Sequence, residues 1–380
     1  MPIALWRIPA YIIKTFERMR ETKPEPGEAP LEQENVLESG KSAIGPTLRD
    51  VAAFAGVSKA TVSRVMNSPD VVSDKLRERI EAAIKHLGWV PHAAARALAT
   101  QQTRTIGAVF PTISNEHYAT AIQVLQETLE IHGYTLLIGC SDYNEEREAR
   151  QVRKMLERGV DAIVLVGDAH QREILALLEA RRVPVVGTFT YMANTAIPCV
   201  GVDNYKAFFN FTQYLLGLGH RRFAMLAQNA DTNDRARARR EGVRDALAVE
   251  GLAISPQHFA EGFWSVKEGR QLFSRVMAHS VKPTAMICGN GSFAMGAMLE
   301  AMSSGVQVPG ELTIAGFDDF ELMAELPIPI TTIRVPSAEI GRRAADLIVA
   351  QLRGDKQVLS HECQAEVMIR ASSAPPRLSQ

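Results

Sequence analysis

From residue 105 to residue 336 the sequence alternates between two kinds of stretch, and no other feature constrains its fold so tightly. The first kind is a short, nearly continuous apolar run: TIGAVFP (105–111), TLLIGC (135–140), AIVLVG (162–167), VPVVGTF (183–189), RFAMLAQ (222–228), TAMICGN (284–290), LTIAGFDD (312–319) and ITTIRVP (330–336). Runs of this length without polar alternation are how strands covered on both faces read. The second kind is longer and amphipathic, as in Tyr118–Ile131, Glu145–Glu157 and Arg235–Glu250. A strand reaches a parallel neighbour only through a crossover, so this succession requires parallel sheets with helices on both faces. From residue 105 onward the chain has some 270 residues, which is generous for one open sheet and fits two doubly wound lobes.

Upstream the pattern changes to short helices. Three are expected, Leu48–Phe54, Lys59–Met66 and Asp74–Leu87, with Thr47 and Ser73 as N-caps and Thr47-x-x-Asp50 as a capping box. Four residues, Ala55 to Ser58, separate the first two, and so short a turn forces a steep crossing. The segment LRDVAAFAGVSKATVSRVM (48–66) meets the demands of a helix-turn-helix. Ala52 is small where the helices cross, and Gly56 tolerates a left-handed backbone. Leu48, Val51, Val57, Val62 and Val65 supply the inward faces. The second helix then presents Lys59, Ala60, Ser63, Arg64 and Asn67 outward; Lys and Arg can bond guanine in a major groove, and Ser and Asn can reach bases or phosphates.

The charge distribution agrees. The chain has a net charge of −1, but residues 46–104 carry nine Lys/Arg against five Asp/Glu, while residues 105–380 carry 27 against 31. A basic segment attached to an acidic body points to a nucleic-acid partner. Other classes are excluded. No apolar stretch approaches the roughly 18 residues of a membrane span. The four cysteines are far apart and form no Cys-x-x-Cys pair, which argues against a disulfide scaffold and a zinc ribbon and for reduced thiols in a cytosol. Residues 21–46 are rich in Pro, Glu, Gly and Ser and read as a disordered linker. The apolar, basic stretch before them reads as a short amphipathic helix, as a start upstream of the real one, or as a secretory signal interrupted by Pro9 and without a cleavage site.

Residues 46–104 resemble the LacI/GalR-type family of bacterial transcriptional regulators throughout. VVSDKLRERIEAAIKHLGWVP (71–91) looks like that family's third helix and exit, and HAAARALAT (92–100) like its hinge helix. The resemblance implies DNA contacts from Thr47, Ser58, Lys59, Ala60, Thr61, Ser63, Arg64 and Asn67, a minor-groove or phosphate contact from Arg96, and a leucine, Leu98, that opens a central base step. Ala99 stands where several members have Lys, so an operator-centre preference does not carry over. The likeness continues to about residue 372 through GVDN (201–204), LGHRRFAML (218–226), RARREG (237–242), GVQVPGELTIAGFDD (305–319) and PITTIRVPSAEIGRRAADLI (329–348). It implies an all-α helix-turn-helix headpiece and an α/β periplasmic-binding-protein-like core of two doubly wound parallel-sheet lobes, joined by three crossings around a ligand cleft.

The expected domains are a disordered extension (1–45), the DNA-binding headpiece (46–91), a hinge helix and linker (92–103), an effector-binding and dimerisation core (104–372) and a tail (373–380). Lobe 1 is expected at about 104–202 and 333–353, and lobe 2 at about 203–332 and 354–372. Carried over one by one, Arg239, Asp318 and Asn290 are effector-binding residues, and His117 and Tyr118 occupy a first-lobe loop that lines the cleft. Gly291 stands where the family usually has Asp. RARARR (235–240) is unusually rich in arginine for a sugar site; one of these arginines could face an acidic effector, but the favoured placement for Arg235 and Arg237 is a wet helix face. The tail FDDFELMAELPIPITTIRVPSAEIGRRA (317–344) looks most like the gluconate-operon repressor branch, which implies a sugar acid. The expected partners are palindromic operator DNA, a carbohydrate or sugar-acid effector and a second copy of the chain, in the cytoplasm and with no membrane. An activator or a corepressor-dependent regulator would use the same parts. CGNGSFA (288–294) imitates a dinucleotide fingerprint, but the next acidic strand end lies about 29 residues past Gly289 rather than the usual ~20. No catalytic set, metal cluster or cofactor is expected.

Overall fold

The computed structural model describes residues 45–67, 71–90, 102–193, 195–355 and 359–377. The expected hinge helix, with Arg96 and Leu98, and all but the last residue of the expected extension lie outside them. The chain divides into two compact units, Met1–Val90 and Pro91–Gln380.

The described part of the first unit is three helices, α1 (Leu48–Phe54), α2 (Lys59–Asn67) and α3 (Asp74–Leu87). Thr47 starts α1 through a capping box: its backbone N–H and its hydroxyl donate to Asp50 Oδ2 at 2.8 and 2.7 Å. Gly56 turns the chain at φ +62. Val51, Val62 and Ile80 are fully buried where the three helices meet, with Ala52, Val65 and Trp89 around them and Leu48 and Val57 half-buried at the edge. Gly88 ends α3 in the left-handed region, and the Trp89 N–H returns to the Ile84 carbonyl at 3.1 Å, which folds the indole under the helix.

The second unit repeats one topology twice. The first sheet runs β2 (Thr135–Cys140), β1 (Thr105–Phe110), β3 (Ala162–Val166), β4 (Val185–Thr188), β5 (Cys199–Gly201) and β11 (His361–Glu362). The second runs β7 (Phe259–Gly262), β6 (Phe223–Gln228), β8 (Ala285–Cys288), β9 (Thr313–Asp318), β10 (Thr331–Arg334) and β12 (Glu366–Met368). All pairs are parallel except β10 with β12. The helices are α4 (Glu116–Ile131), α5 (Glu145–Glu157), α6 (Arg172–Ala180) and α12 (Ser337–Arg353) with the first sheet, and α7 (Asn204–Gly217), α8 (Asp234–Val249), α9 (Val266–Met277), α10 (Gly291–Ser304) and the short α11 (Glu321–Glu325) with the second. Each sheet therefore has the order 2-1-3-4-5-6, whose crevice lies beyond the carboxyl ends of the strands at the point where the order reverses.

Three details differ from the sequence reading. Strand β11 pairs with β5 (His361 with Val200), so residues 361–362 belong to the first lobe and not to the second. Strand β10 pairs with β9 through Arg334, so the second crossing follows residue 334 rather than 332. The expected tail starts inside the second lobe: the Ala374 carbonyl faces His220 Nε2 at 3.0 Å, and Ser373 Oγ bonds Tyr214 at 3.1 Å. Strands β5 and β7 went unread because one has three residues and the other, FAEG at a sheet edge, has only four, with a charged residue and a glycine among them.

Each lobe packs one helix pair through a glycine. An added Cβ at Gly242 of α8 would strike the Tyr205 carbonyl of α7, and one at Gly341 of α12 the Ala121 carbonyl of α4. Gly217, by contrast, has nothing within 4 Å of its Cβ position. Gly242→Ala is expected to cost about 1–3 kcal/mol by overpacking, whereas Gly217→Ala should stabilise by up to ~1 kcal/mol through lost unfolded-chain entropy. Chemical denaturation of both variants checks the opposite signs.

Candidate functional site

The carboxyl ends of both sheets face a common cleft. Its polar residues come from the loops and helix starts that follow the strands. After β1, Asn115 caps α4 by accepting from the His117 N–H at 3.1 Å. His117 and Tyr118 therefore stand on the first turn of a helix, not in a loop as expected. After β8, Asn290 Oδ1 caps α10 by accepting from the Phe293 N–H at 2.9 Å. Asn233 caps α8 in the same way, which aims Arg235 and Arg239, one turn apart, at the cleft. Strand β9 ends on Asp318 itself, in the left-handed region at φ +84.

The structure brings His117, Tyr118, Arg239, Asn290 and Asp318 into this one cleft. The Arg239 guanidinium lies 4.7 Å from the Phe317 ring centre and donates to Asn204 Oδ1 at 2.9 Å. Asp318 Oδ2 accepts from the Gly291 N–H at 3.0 Å, and Oδ1 lies 2.9 Å from His117 Nδ1 across the lobes. That last approach is misaligned for a hydrogen bond, and it leaves both atoms without one. Burial works against the Asp318 charge, but His117, the Gly291 N–H and Arg239 outweigh it and hold the carboxyl below its usual range. Burial pushes Arg239 down from the usual arginine range, against the pull of Asp318. Among the described residues, four buried side-chain atoms make no well-aligned hydrogen bond, His117 Nδ1, Arg239 Nε, Asn290 Nδ2 and Asp318 Oδ1, and the first and last of them face each other at 2.9 Å. All four belong to cleft residues. Buried polar atoms are rarely left so, and a concentrated set in one cavity marks where a ligand supplies the missing partners.

The same geometry disposes of the dinucleotide imitation at 288–294. The N-terminus of α10 already holds an anion, the Asp318 carboxylate, and an added Cβ at Gly291 would enter the Phe320 ring. No pyrophosphate can approach there. The packing also accounts for glycine where the resembled family has aspartate.

Arg235 is buried, not on a wet helix face; Arg237 is exposed, as expected. Arg235 pairs with Asp234 at 2.6 Å and donates to the Val166 carbonyl of the first lobe at 3.1 Å. Asp234 Oδ2 accepts from the Asp168 N–H at 3.1 Å, and Glu116 Oε1 from the Glu321 N–H at 2.9 Å. These bonds tie the lobes at the cleft mouth. Sequence reading also missed Asn115, Tyr143, Phe189, Asn204, Gln228 and Trp264, which line the cleft. The usable signal was position: Phe189 follows β4 directly and Gln228 closes β6.

In the headpiece, Thr47, Ser58, Lys59, Ala60 and Arg64 are exposed, and Thr61 and Ser63 half-exposed. Asn67 ends α2. Thr47 uses its hydroxyl in the capping box, Ser58 Oγ accepts from the Thr61 N–H at 3.1 Å, and the Ser58 and Thr61 hydroxyls share a hydrogen bond at 2.8 Å.

Asp168 supplies a pH test of the latch. The residue is exposed overall, but its carboxyl is partly shielded, and that shielding together with its bond to Asp234 raises it to about 6. The folded state thus keeps a proton that the unfolded chain has lost, so this group's contribution to stability grows as pH falls through about 6. Asp168→Asn, whose amide can donate to Asp234 as the proton does, should raise the thermal midpoint at neutral pH and flatten its dependence between about pH 5 and 7. An unchanged slope would show that the two carboxylates do not interact.

Two family models match the chain. One, described as "Bacterial regulatory proteins, lacI family", covers residues 47–92, and the other, "Periplasmic binding proteins and sugar binding domain of LacI family", covers residues 103–369. The HTH-type transcriptional repressor CytR of Escherichia coli strain K12 is 30% identical over 338 residues, 89% of this chain and 99% of that protein. The ribose operon repressor of the same strain is 32% identical over 315 residues, 80% of this chain and 93% of its own length. Among solved structures, the Lac repressor dimer bound to operator and the anti-inducer ONPF superposes with a TM-score of 0.79 at 26% identity, over 87% of this chain and all of that one. The transcription regulator GntR of Chromobacterium violaceum gives 0.67 at 27% identity, over 71% and 99%.

Proposed function

The chain belongs to the LacI family of bacterial regulatory proteins, and from that premise we propose that it is a repressor that binds a palindromic operator as a dimer and leaves it when a sugar acid of the gluconate type fills the cleft. As a regulator of this family it binds DNA, takes a small effector and is not an enzyme. Among the described residues, no helix is long and apolar enough to cross a membrane.

The observation that carries the effector class is the charge and bonding balance of the cleft. Arg235 is neutralised by Asp234, and Arg239 faces Asp318, a carboxylate already approached by His117 and by the Gly291 N–H. Three of the four unpartnered atoms are nitrogens. A ligand carboxylate suits such nitrogens and a hydroxyl suits Asp318 Oδ1, so the cleft fits a polyhydroxy acid better than a neutral sugar. A neutral pentose is the second reading, favoured by Asp318 Oδ1 as a hydroxyl acceptor and by the ribose operon repressor among the relatives. In this reading Lys59 and Arg64, both exposed on α2, read bases, and Thr47, Ser58, Ala60, Thr61, Ser63, Asn67, Arg96 and Leu98 supply the remaining DNA contacts.

Calorimetric titration with gluconate, glucose and ribose separates the two effector readings: gluconate should bind and the neutral sugars should bind at least tenfold more weakly. Arg239→Ala should weaken the effector by roughly tenfold to a hundredfold, the worth of a charge-assisted bond, while leaving effector-free operator affinity near wild type. Normal effector binding by this variant would remove Arg239 from the site. Fluorescence anisotropy on operator DNA gives the sign of the response, since a corepressor would tighten the complex. In the same assay Arg64→Ala should lose about 1–3 kcal/mol on the cognate site; an equal loss on random DNA would make Arg64 a phosphate contact.

A further inference from the structure

We infer that Glu339, His361 and Cys363 form a binding site for a divalent cation of the zinc class, placed where two of the three lobe crossings meet. The first turn of α12 carries Glu339, just after the chain has crossed from β10, and His361 opens β11. Cys363 follows at the point where the chain leaves for β12, its N–H donating to the Gly201 carbonyl at 2.8 Å. One carboxylate oxygen, one imidazole nitrogen and the Cys363 sulfur lie within 4.8 Å of one another. Glu339 Oε1 and His361 Nε2 are 3.6 Å apart, close to the ~3.3 Å spacing that two tetrahedral bonds of about 2.0 Å produce. The sulfur, within 4.8 Å of both, has to close to the ~3.5 Å that a bond of about 2.3 Å to sulfur produces.

The donor set decides the class. A carboxylate beside a histidine is common on protein surfaces and selects nothing. Adding a thiolate makes an oxygen, nitrogen and sulfur set, which suits zinc and disfavours magnesium and calcium. Cys363 is a free cysteine and 1% exposed, while the Glu339 and His361 side chains are 36% and 38% exposed. The site thus has a buried soft anchor and an open side through which a cation and a fourth, water ligand can enter. On binding, the Cys363 S–H bond breaks, its proton leaves to solvent and the sulfur bonds the metal, so affinity rises with pH. Arg343, which donates to Glu339 at 2.7 Å, is the competing cation, but it is a half-exposed partner one helical turn away and easily displaced. No ligand spacing announces this set in the sequence, because its members are brought together by the return of β11 to the first sheet. A bound cation would clamp the second crossing to the third and so stiffen the hinge on which any lobe movement turns.

Cobalt(II) titration of the reduced, chelator-treated full chain tests the site. The expected result is a thiolate-to-cobalt charge-transfer band saturating at one equivalent per chain and bleached by Zn²⁺. His361→Ala and Glu339→Gln, both solvent-facing and expected to fold normally, should weaken Co²⁺ at least tenfold; Cys363→Ser should abolish the band. An absent band on folded protein, a six-coordinate spectrum without sulfur (an adventitious surface ion only), or a band that survives either Cys363→Ser or His361→Ala would overturn the proposal. If Cys363→Ser fails to fold, the His361 and Glu339 variants decide it.

Discussion

The cleft depends on how Asp318 is held. It ends β9 in the left-handed region, at φ +84, where a residue with a side chain pays on the order of 1–3 kcal/mol. One carboxylate oxygen is anchored on the Gly291 N–H of its own lobe, and the other is turned across the cleft to His117 of the opposite lobe. That one residue binds the first N–H of α10 and faces the first lobe. Of the seven left-handed non-glycine residues among those described, five (Asp142, Tyr143, Phe189, Asp318 and Asp319) sit at or just beyond the ends of β2, β4 and β9 on the cleft side. Strain concentrated there is maintained by two rigid sheets, and it aims side chains that relaxed turns would leave pointing elsewhere.

The site is ordered but incomplete. Aromatic rings fix the orientation of His117, which sits 4.2 Å from Tyr118 and 5.1 Å from Phe189 between centroids. Arg239 is braced by Asn204 and by the Phe317 ring. Yet four of the polar atoms these contacts position make no well-aligned hydrogen bond. A ligand that completes them gains their desolvation cost back in addition to its own bonds. Because His117 belongs to one lobe and Asp318 to the other, such a ligand discriminates between lobe arrangements, and that difference is the most it can contribute to a switch. The Asp168–Asp234–Arg235 group ties the two lobes at the cleft mouth, so the same movement must break its bonds.

How much of this could be read from residues alone follows the range of the interactions involved. The headpiece helices are governed by local signals, namely Thr47 with Asp50, Gly56, and valines at helical spacing, and all three are where those signals put them. Long apolar strands were legible because burial on both faces leaves a continuous run. The short or edge strands β5, β7, β11 and β12 carry too few residues for any period to register. Arg235 was misplaced for a different reason. Its burial is compensated by Asp234 and by the Val166 carbonyl 69 positions earlier, and only the docking of two lobes supplies that second partner to an arginine on a polar-looking helix. His117 was assigned to a loop because the helix signal of α4 begins with polar residues capped by Asn115.

The central claim, that the cleft binds the effector through its four unpartnered atoms, is tested most directly by a crystal structure of the full chain with gluconate bound. The account predicts a ligand oxygen within hydrogen-bond distance of each of His117 Nδ1, Arg239 Nε, Asn290 Nδ2 and Asp318 Oδ1, with the carboxylate on the arginine side and hydroxyls at Asp318. Ligand density elsewhere in the molecule, or density in the cleft that leaves Arg239 and Asp318 unpaired, would contradict it.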